Sequence, residues 1–173
     1  GARIHLPRCI AGYVGADAVA ATPYQRVGVI STCFTAQSGC YPNLIHKQAP
    51  ERQVFSHGCP DLANLVEQNV GDPAAQPAID AEIRAGLDGL VNVDKIQCCV
   101  LGCTHYPLVE DNIRRLYPTL DLLDPARQMA ETLSRDLDAR GLRNDQRAPG
   151  RMDIFTTGSL EEYIKKANRV GLT

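Results

Sequence analysis

Tryptophan is absent from these 173 residues, and phenylalanine occurs only 3 times. Surfaces that stack sugars or unpaired bases need exposed aromatic rings, so this scarcity argues against lectin-like and single-strand-binding functions. No charge of one sign dominates either: 18 Lys and Arg face 20 Asp and Glu, for a net charge of −2. The basic residues are scattered, which leaves no electrostatic footprint for nucleic acid. No apolar run approaches the roughly 20 residues of a membrane-spanning helix. Gly28 lies in a strand-like segment but opens no GxGxxG pattern, so a dinucleotide fingerprint is missing. The opening residues Gly1-Ala2-Arg3-Ile4-His5 show no secretory signal pattern. The 7 cysteines, at positions 9, 33, 40, 59, 98, 99 and 103, make an odd count. Free thiols in a reducing cytoplasm are therefore expected.

The hydrophobic pattern alternates between strands and helices. Arg26 to Ile30 reads as a buried parallel strand, followed by a turn over Ser31 to Thr35 and a helix over Ala36 to Lys47. Gln53 to Ser56 is a short strand, and Pro60 to Val70 carries Leu62, Leu65, Val66 and Val70 at helical spacing. Ile79, Ile83, Leu87 and Leu90 mark one face of a longer helix. A strand over Ile96 to Leu101 leads to a helix with Leu108, Ile113 and Leu116 on its buried stripe. Leu120 to Leu123 is a further strand, and Asp124-Pro125 starts a helix continued by Met129, Leu133 and Leu137. A polar loop over Arg143 to Arg151 precedes a last strand at Met152 to Thr157, and Ser159 with Glu162 forms a capping box for the final helix. Repeated strand–helix units with short connections predict an α/β fold: a parallel sheet flanked by helices.

Chemistry concentrates in Val100-Leu101-Gly102-Cys103-Thr104-His105-Tyr106-Pro107. An apolar strand ends in glycine, and a thiol, a hydroxyl and an imidazole come next, before a helix-starting proline. Turns at the carboxyl ends of parallel strands are where ligands meet side chains and backbone N–H groups. A thiol ahead of a helix N-terminus is placed to be acidified. Cys98 and Cys99 sit inside the strand, point to opposite faces and read as small buried hydrophobes. His105 reads either as a satisfied loop histidine or as a general acid/base tuning Cys103. A metal site built on Cys98, Cys99, Cys103 and His105 is the rival, but the CC-x3-C-x-H spacing matches none of the usual zinc patterns. No signature supports a cysteine hydrolase. The turn Ser31-Thr32-Cys33-Phe34-Thr35 is a second candidate, its hydroxyls and N–H groups suiting a carboxylate or phosphate. The plainer alternative is that Ser31 or Thr32 caps the helix.

Four segments carry a resemblance. GVISTCFTAQSGCY (28–41), CPDLANLVE (59–67), VLGCTHYPL (100–108) and LLDPARQMAETL (122–133) together resemble the glutamate racemases of the aspartate/glutamate racemase family, and FTTGSLEEY (155–163) extends the match. The resemblance implies racemisation without cofactor or metal: one thiolate removes the α-proton of glutamate, and a second thiol returns a proton on the opposite face. It implies Cys103 as one of those cysteines, His105 as its assistant and Glu67 as the group orienting His105. Thr104, Thr32 and Thr35 match substrate-binding threonines. It further implies a cytoplasmic enzyme supplying D-glutamate for peptidoglycan. Other readings are an aspartate or other amino-acid racemase and a non-catalytic fragment that binds an acidic amino acid.

Three motifs of the family are missing from this sequence: Asp-Ser-Gly, Pro-Tyr-Gly, and the Cys-Asn-Thr that carries the first catalytic cysteine. The segment His5 to Ala21 resembles the family's stretch just after Cys-Asn-Thr. The expectation is a chain cut near the domain crossover. Residues 1–123 would form the second α/β domain, and residues 124–173 would belong to a first domain that is otherwise absent. Such a chain is expected to be inactive alone and to associate, as a homodimer or with a separate N-terminal segment.

Overall fold

The computed structural model describes residues 10–69, 71–144, 150–151 and 153–171. Four strands form one fully parallel sheet in the order β2-β1-β3-β4: β1 Arg26–Ser31, β2 Gln53–Gly58, β3 Cys98–Leu101 and β4 Asp121–Leu123. The two central strands are apolar almost throughout because both of their faces are covered. Side chains divide by parity. Val27, Val29, Cys98 and Val100 enter one core beneath α1 (Ile10–Ala20) and α3 (Cys40–Gln48), with Ala16, Val19, Tyr41 and Ile45. Ile30, Cys99 and Leu101 enter the other, larger core beneath α4 (Leu62–Asn69), α5 (Gln76–Asn92) and α6 (Glu110–Leu116). Cys98 and Cys99 thus lie on opposite faces, both fully buried, as their strand positions imply.

Where the structure departs from the sequence reading, local chemistry gives the reason. The helix expected over Ala36 to Lys47 is two helices, α2 (Cys33–Gln37) and α3, divided at Gly39, whose φ of 64° belongs to the left-handed region that glycine favours. α1 has no counterpart in the strand–helix reading; it is rich in alanine and glycine and packs on α3 and on α7 (Pro125–Ala139). After β3 the chain first makes a 3-10 turn over Tyr106–Val109, so Tyr106 and Val109 are buried while Leu108 is 44% exposed. Leu108 is therefore not on the buried stripe; three residues per turn replace the 3.6 of the assumed helix.

Beyond β4 the agreement is mixed. Asp124 caps α7 by accepting from the Ala126 N–H, and Ser159 caps α8 (Leu160–Arg169) by accepting from the Glu162 N–H. However, Met129 and Leu133 are exposed. The strand expected at Met152 to Thr157 is irregular and exposed over residues 153–157, with Phe155 92% accessible. Among the described residues it has no neighbouring strand to pair with, and a lone strand leaves its backbone polar groups to water. Val70 and Met152 lie outside the described residues. So do residues 145–149 of the polar loop and the first part of the segment from His5.

Candidate functional site

The parallel register places two turns side by side at the carboxyl edge of the sheet. Ile30 pairs with Leu101, and the Gly102 N–H donates to the Ile30 carbonyl at 2.8 Å. Ser31 and Gly102 therefore leave their strands together, and the space between them is tight. A Cβ on Gly102 would stand 2.9 Å from the Ile30 carbonyl oxygen and 3.0 Å from both Ser31 Cβ and Tyr41 Cε2. Only hydrogen fits there, which is what glycine supplies ahead of Cys103.

Cys103 is half-buried and borders a cavity of about 110 Å³ with Tyr41, Gly102, Thr104, Asp124 and Met129. Burial pushes its thiol pKa up, while N–H groups of His105 and Tyr106 directed at the sulfur pull it down. Burial outweighs the amides, so the thiol lies above its ordinary value, contrary to the acidification expected of a thiol ahead of a helix N-terminus. Cys59 and Cys98 differ in degree: burial raises them to about 11 and about 12. Cys99 is displaced upward still further, also by burial. These three are packing thiols. Cys33, Cys59, Cys98, Cys99 and Cys103 are free, whereas Cys40 is disulfide-bonded, contrary to the expectation of free thiols throughout.

The imidazole of His105 connects Cys103 to a carboxylate. Its Nδ1 lies 3.8 Å from Cys103 Sγ and 3.5 Å from Thr104 Oγ1, and its Nε2 lies 3.4 Å from Glu67 Oε2 on α4. The carboxylate on the Nε2 side favours the tautomer with its proton on Nε2, and in that tautomer the Nδ1 lone pair faces the thiol. Cys103, Thr104, His105 and Glu67 are thereby assembled in one row. Glu67 is itself held below the usual carboxylate range, first by Lys166 of α8, whose Nζ is 2.7 Å from Oε1, and more weakly by His105.

The threonines of the neighbouring turn are engaged with each other. Thr32 is the N-cap of α2, its Oγ1 accepting from the Thr35 N–H at 3.4 Å and lying 3.1 Å from Thr35 Oγ1. The plainer reading of Thr32 as a cap therefore holds in the structure, and Thr35 shares that cap. Three residues at this end of the sheet carried no such role in the sequence reading. Tyr41 faces the cavity with its phenol raised to about 12, first by burial and then by Cys103 and Asp124. Asp124 was legible as a cap but not as a cavity wall. Lys166, 99 positions from Glu67, had no sequence signal at all. Among the described residues, no three His, Cys, Asp or Glu side chains are grouped to hold a metal ion, and no helix is long and apolar enough to cross a membrane.

Known proteins are similar to this chain over most of its length. The family model described as Asp/Glu/Hydantoin racemase matches residues 7–133. A glutamate racemase of Levilactobacillus brevis is 34% identical over 169 residues, which is 95% of this chain and 59% of the relative. One from Trichormus variabilis is 38% identical over 122 residues, 69% of this chain and 40% of the relative. Among solved structures, glutamate racemase isoform RacE1 of Bacillus anthracis superposes with a TM-score of 0.80 at 33% identity, over 92% of this chain and 59% of that one. A Francisella tularensis glutamate racemase in complex with D-glutamate gives a TM-score of 0.75 at 25% identity, over 93% and 59%. The chain thus spans 59% of the length of the first of these relatives.

Proposed function

The chain belongs to the Asp/Glu/hydantoin racemase family, and from that membership we propose that it supplies one of the two proton-transferring faces of a cofactor-independent glutamate racemase. The observation that carries this reading is the row Cys103–His105–Glu67, with steps of 3.8 and 3.4 Å, at the open end of β3. The substrate class is supported by the relatives, which are named for glutamate, and by the neighbour solved with D-glutamate.

The geometry suggests the chemistry. His105 Nδ1 accepts the Cys103 thiol proton, and Glu67 balances the imidazolium that results. The thiolate, stabilised by the His105 and Tyr106 amides, takes the α-proton of L-glutamate and becomes a thiol again. The electron pair released from the C–H bond moves into the substrate carboxylate, where pre-organised donors must hold it. The hydroxyls of Thr104, Thr32 and Thr35 are the donors we assign to that task. A thiol on the opposite face then protonates the planar carbon to give D-glutamate. This sequence contains no Cys-Asn-Thr motif, so the chain on its own performs removal and return on a single face and does not racemise.

The same reading assigns residues 1–123 to the second α/β domain of a pair and residues 124–173 to the segment that returns to the first. It is supported by a sheet that ends at Asp121–Leu123 and by the exposed Ile154, Phe155 and Leu160 beyond it. A covering partner, either a second copy or a segment carrying the other thiol, and a cytoplasmic role in supplying D-glutamate for peptidoglycan belong to this proposal. Nuclear magnetic resonance in D2O tests it: deuterium is expected to enter the α-position of L-glutamate and not of D-glutamate. Entry into neither enantiomer would reduce the chain to a binding module.

A further inference from the structure

Glu67 has two partners that hold it unequally. Lys166 Nζ stands 2.7 Å from Oε1, the length of a well-formed charged hydrogen bond, whereas His105 Nε2 stands 3.4 Å from Oε2. Lys166 belongs to α8, and so does Arg169, whose Nη1 donates to the Gln68 carbonyl at 2.9 Å. Two adjacent residues near the end of α4 thus fasten α8 beside the candidate site. A shallow cleft lined by Glu67, His105, Leu108, Tyr163 and Lys166 separates the helix from the imidazole.

We propose that Lys166 is a positioning residue that holds Glu67 off His105, so that docking of α8 restrains the proton-transferring power of Cys103. A carboxylate bonded to Nε2–H favours the imidazolium that forms when Nδ1 accepts the thiol proton. Shared with an ammonium, the same carboxylate offers the imidazole less of its charge. The groups facing His105 are Cys103 and Thr104 on its own turn, Glu67 on α4, and Tyr163 and Lys166 on α8. Of these, Glu67 and Lys166 are charged at neutral pH, and they oppose each other. Loss of the lysine returns the whole carboxylate to His105 and lets the 3.4 Å gap close. A helix from the far end of the chain thereby sets the activity of a turn to which it contributes no reacting atom.

The inference rests on the reading of Cys103 and His105 as an acid/base pair, but its test needs no turnover. Alkylation by iodoacetamide, assigned to Cys103 by peptide mass mapping, reports the thiolate directly. At pH 7, Lys166→Met is expected to raise the Cys103 rate about two- to fivefold, the scale of a half-exposed charge pair. Lys166→Arg is expected to keep the original rate, and in a Glu67→Gln background Lys166→Met is expected to change nothing. Easier access to the sulfur would multiply the rate equally at every pH, whereas the proposal requires the ratio to fall toward one as pH rises through the thiol's own ionisation. A Lys166→Met rate at or below the original, an increase that survives in Glu67→Gln, or a ratio that does not vary with pH overturns it. A chain that fails to exchange deuterium into glutamate yet shows this alkylation pattern refutes the functional reading and leaves the restraint standing.

Discussion

The sheet with its two cores and the C-terminal helix α8 are held by different physics. β1 and β3 are buried on both faces, and the larger core joins Ile30, Cys99 and Leu101 to α4, α5 and α6 through a continuous apolar cluster. α8 buries only Ala167, leaves Leu160 and Ile164 exposed, and meets α4 through Lys166 and Arg169. Apolar burial specifies a position whatever the salt or pH, while half-exposed ion pairs are screened and titrate. The rigid part carries the thiol and the adjustable part touches the carboxylate behind it. That division is what allows one region to act on the other without deforming it.

Breaking the rigid side gives the largest expected effect. Ile83 on α5 is 1% exposed within the larger core. Ile83→Ala is expected to cost about 2–5 kcal/mol in urea-induced unfolding, the range for a buried aliphatic truncation. Next comes the junction of the two turns. Gly102→Ala forces a methyl to within 2.9 Å of the Ile30 carbonyl oxygen, with an expected cost of about 1–3 kcal/mol. Because the clash lies one residue before Cys103, deuterium exchange into glutamate is expected to fall more steeply than stability does. At the other extreme, Leu160→Ala on α8 removes a side chain that is 63% exposed, and its effect is expected to stay within about 0.5 kcal/mol.

Acid separates the two regions without mutation. Lys166, and more weakly His105, hold Glu67 below its ordinary value of 4.5. The folded chain therefore binds fewer protons at this site than the unfolded one across that window. The contribution of Glu67 is complete above 4.5 and is lost as pH falls through its lower folded value. Amide hydrogen exchange is expected to show α8 losing protection on acidification below that point, with β3 unchanged. Equal loss in both would mean that α8 is bound by more than its ion pairs.

Much of this was legible in the amino-acid order. Strand positions of Cys98 and Cys99 placed them on opposite faces, and Asp124 and Ser159 announced helix starts by their capping chemistry. The turn holding Cys103 stood out because an apolar run ended in glycine before polar, titratable residues. Other features depended on distance in space. Gly39 breaks a helix through a single backbone angle that hydrophobic spacing does not encode. The stretch after Met152 has a strand's composition but no strand beside it among the described residues. Glu67 was tied to His105 by family resemblance alone, and Lys166 could not be tied to it at all, since nothing local marks a contact across 99 residues.

The contrast between the packing thiols and Cys103 leads to the most direct test. Deuterium incorporation into L-glutamate is followed in parallel for the original chain, Cys59→Ala and Cys103→Ala. The account predicts equal incorporation for the first two and none for Cys103→Ala. Incorporation that persists without the Cys103 sulfur, or disappears with Cys59, would contradict it.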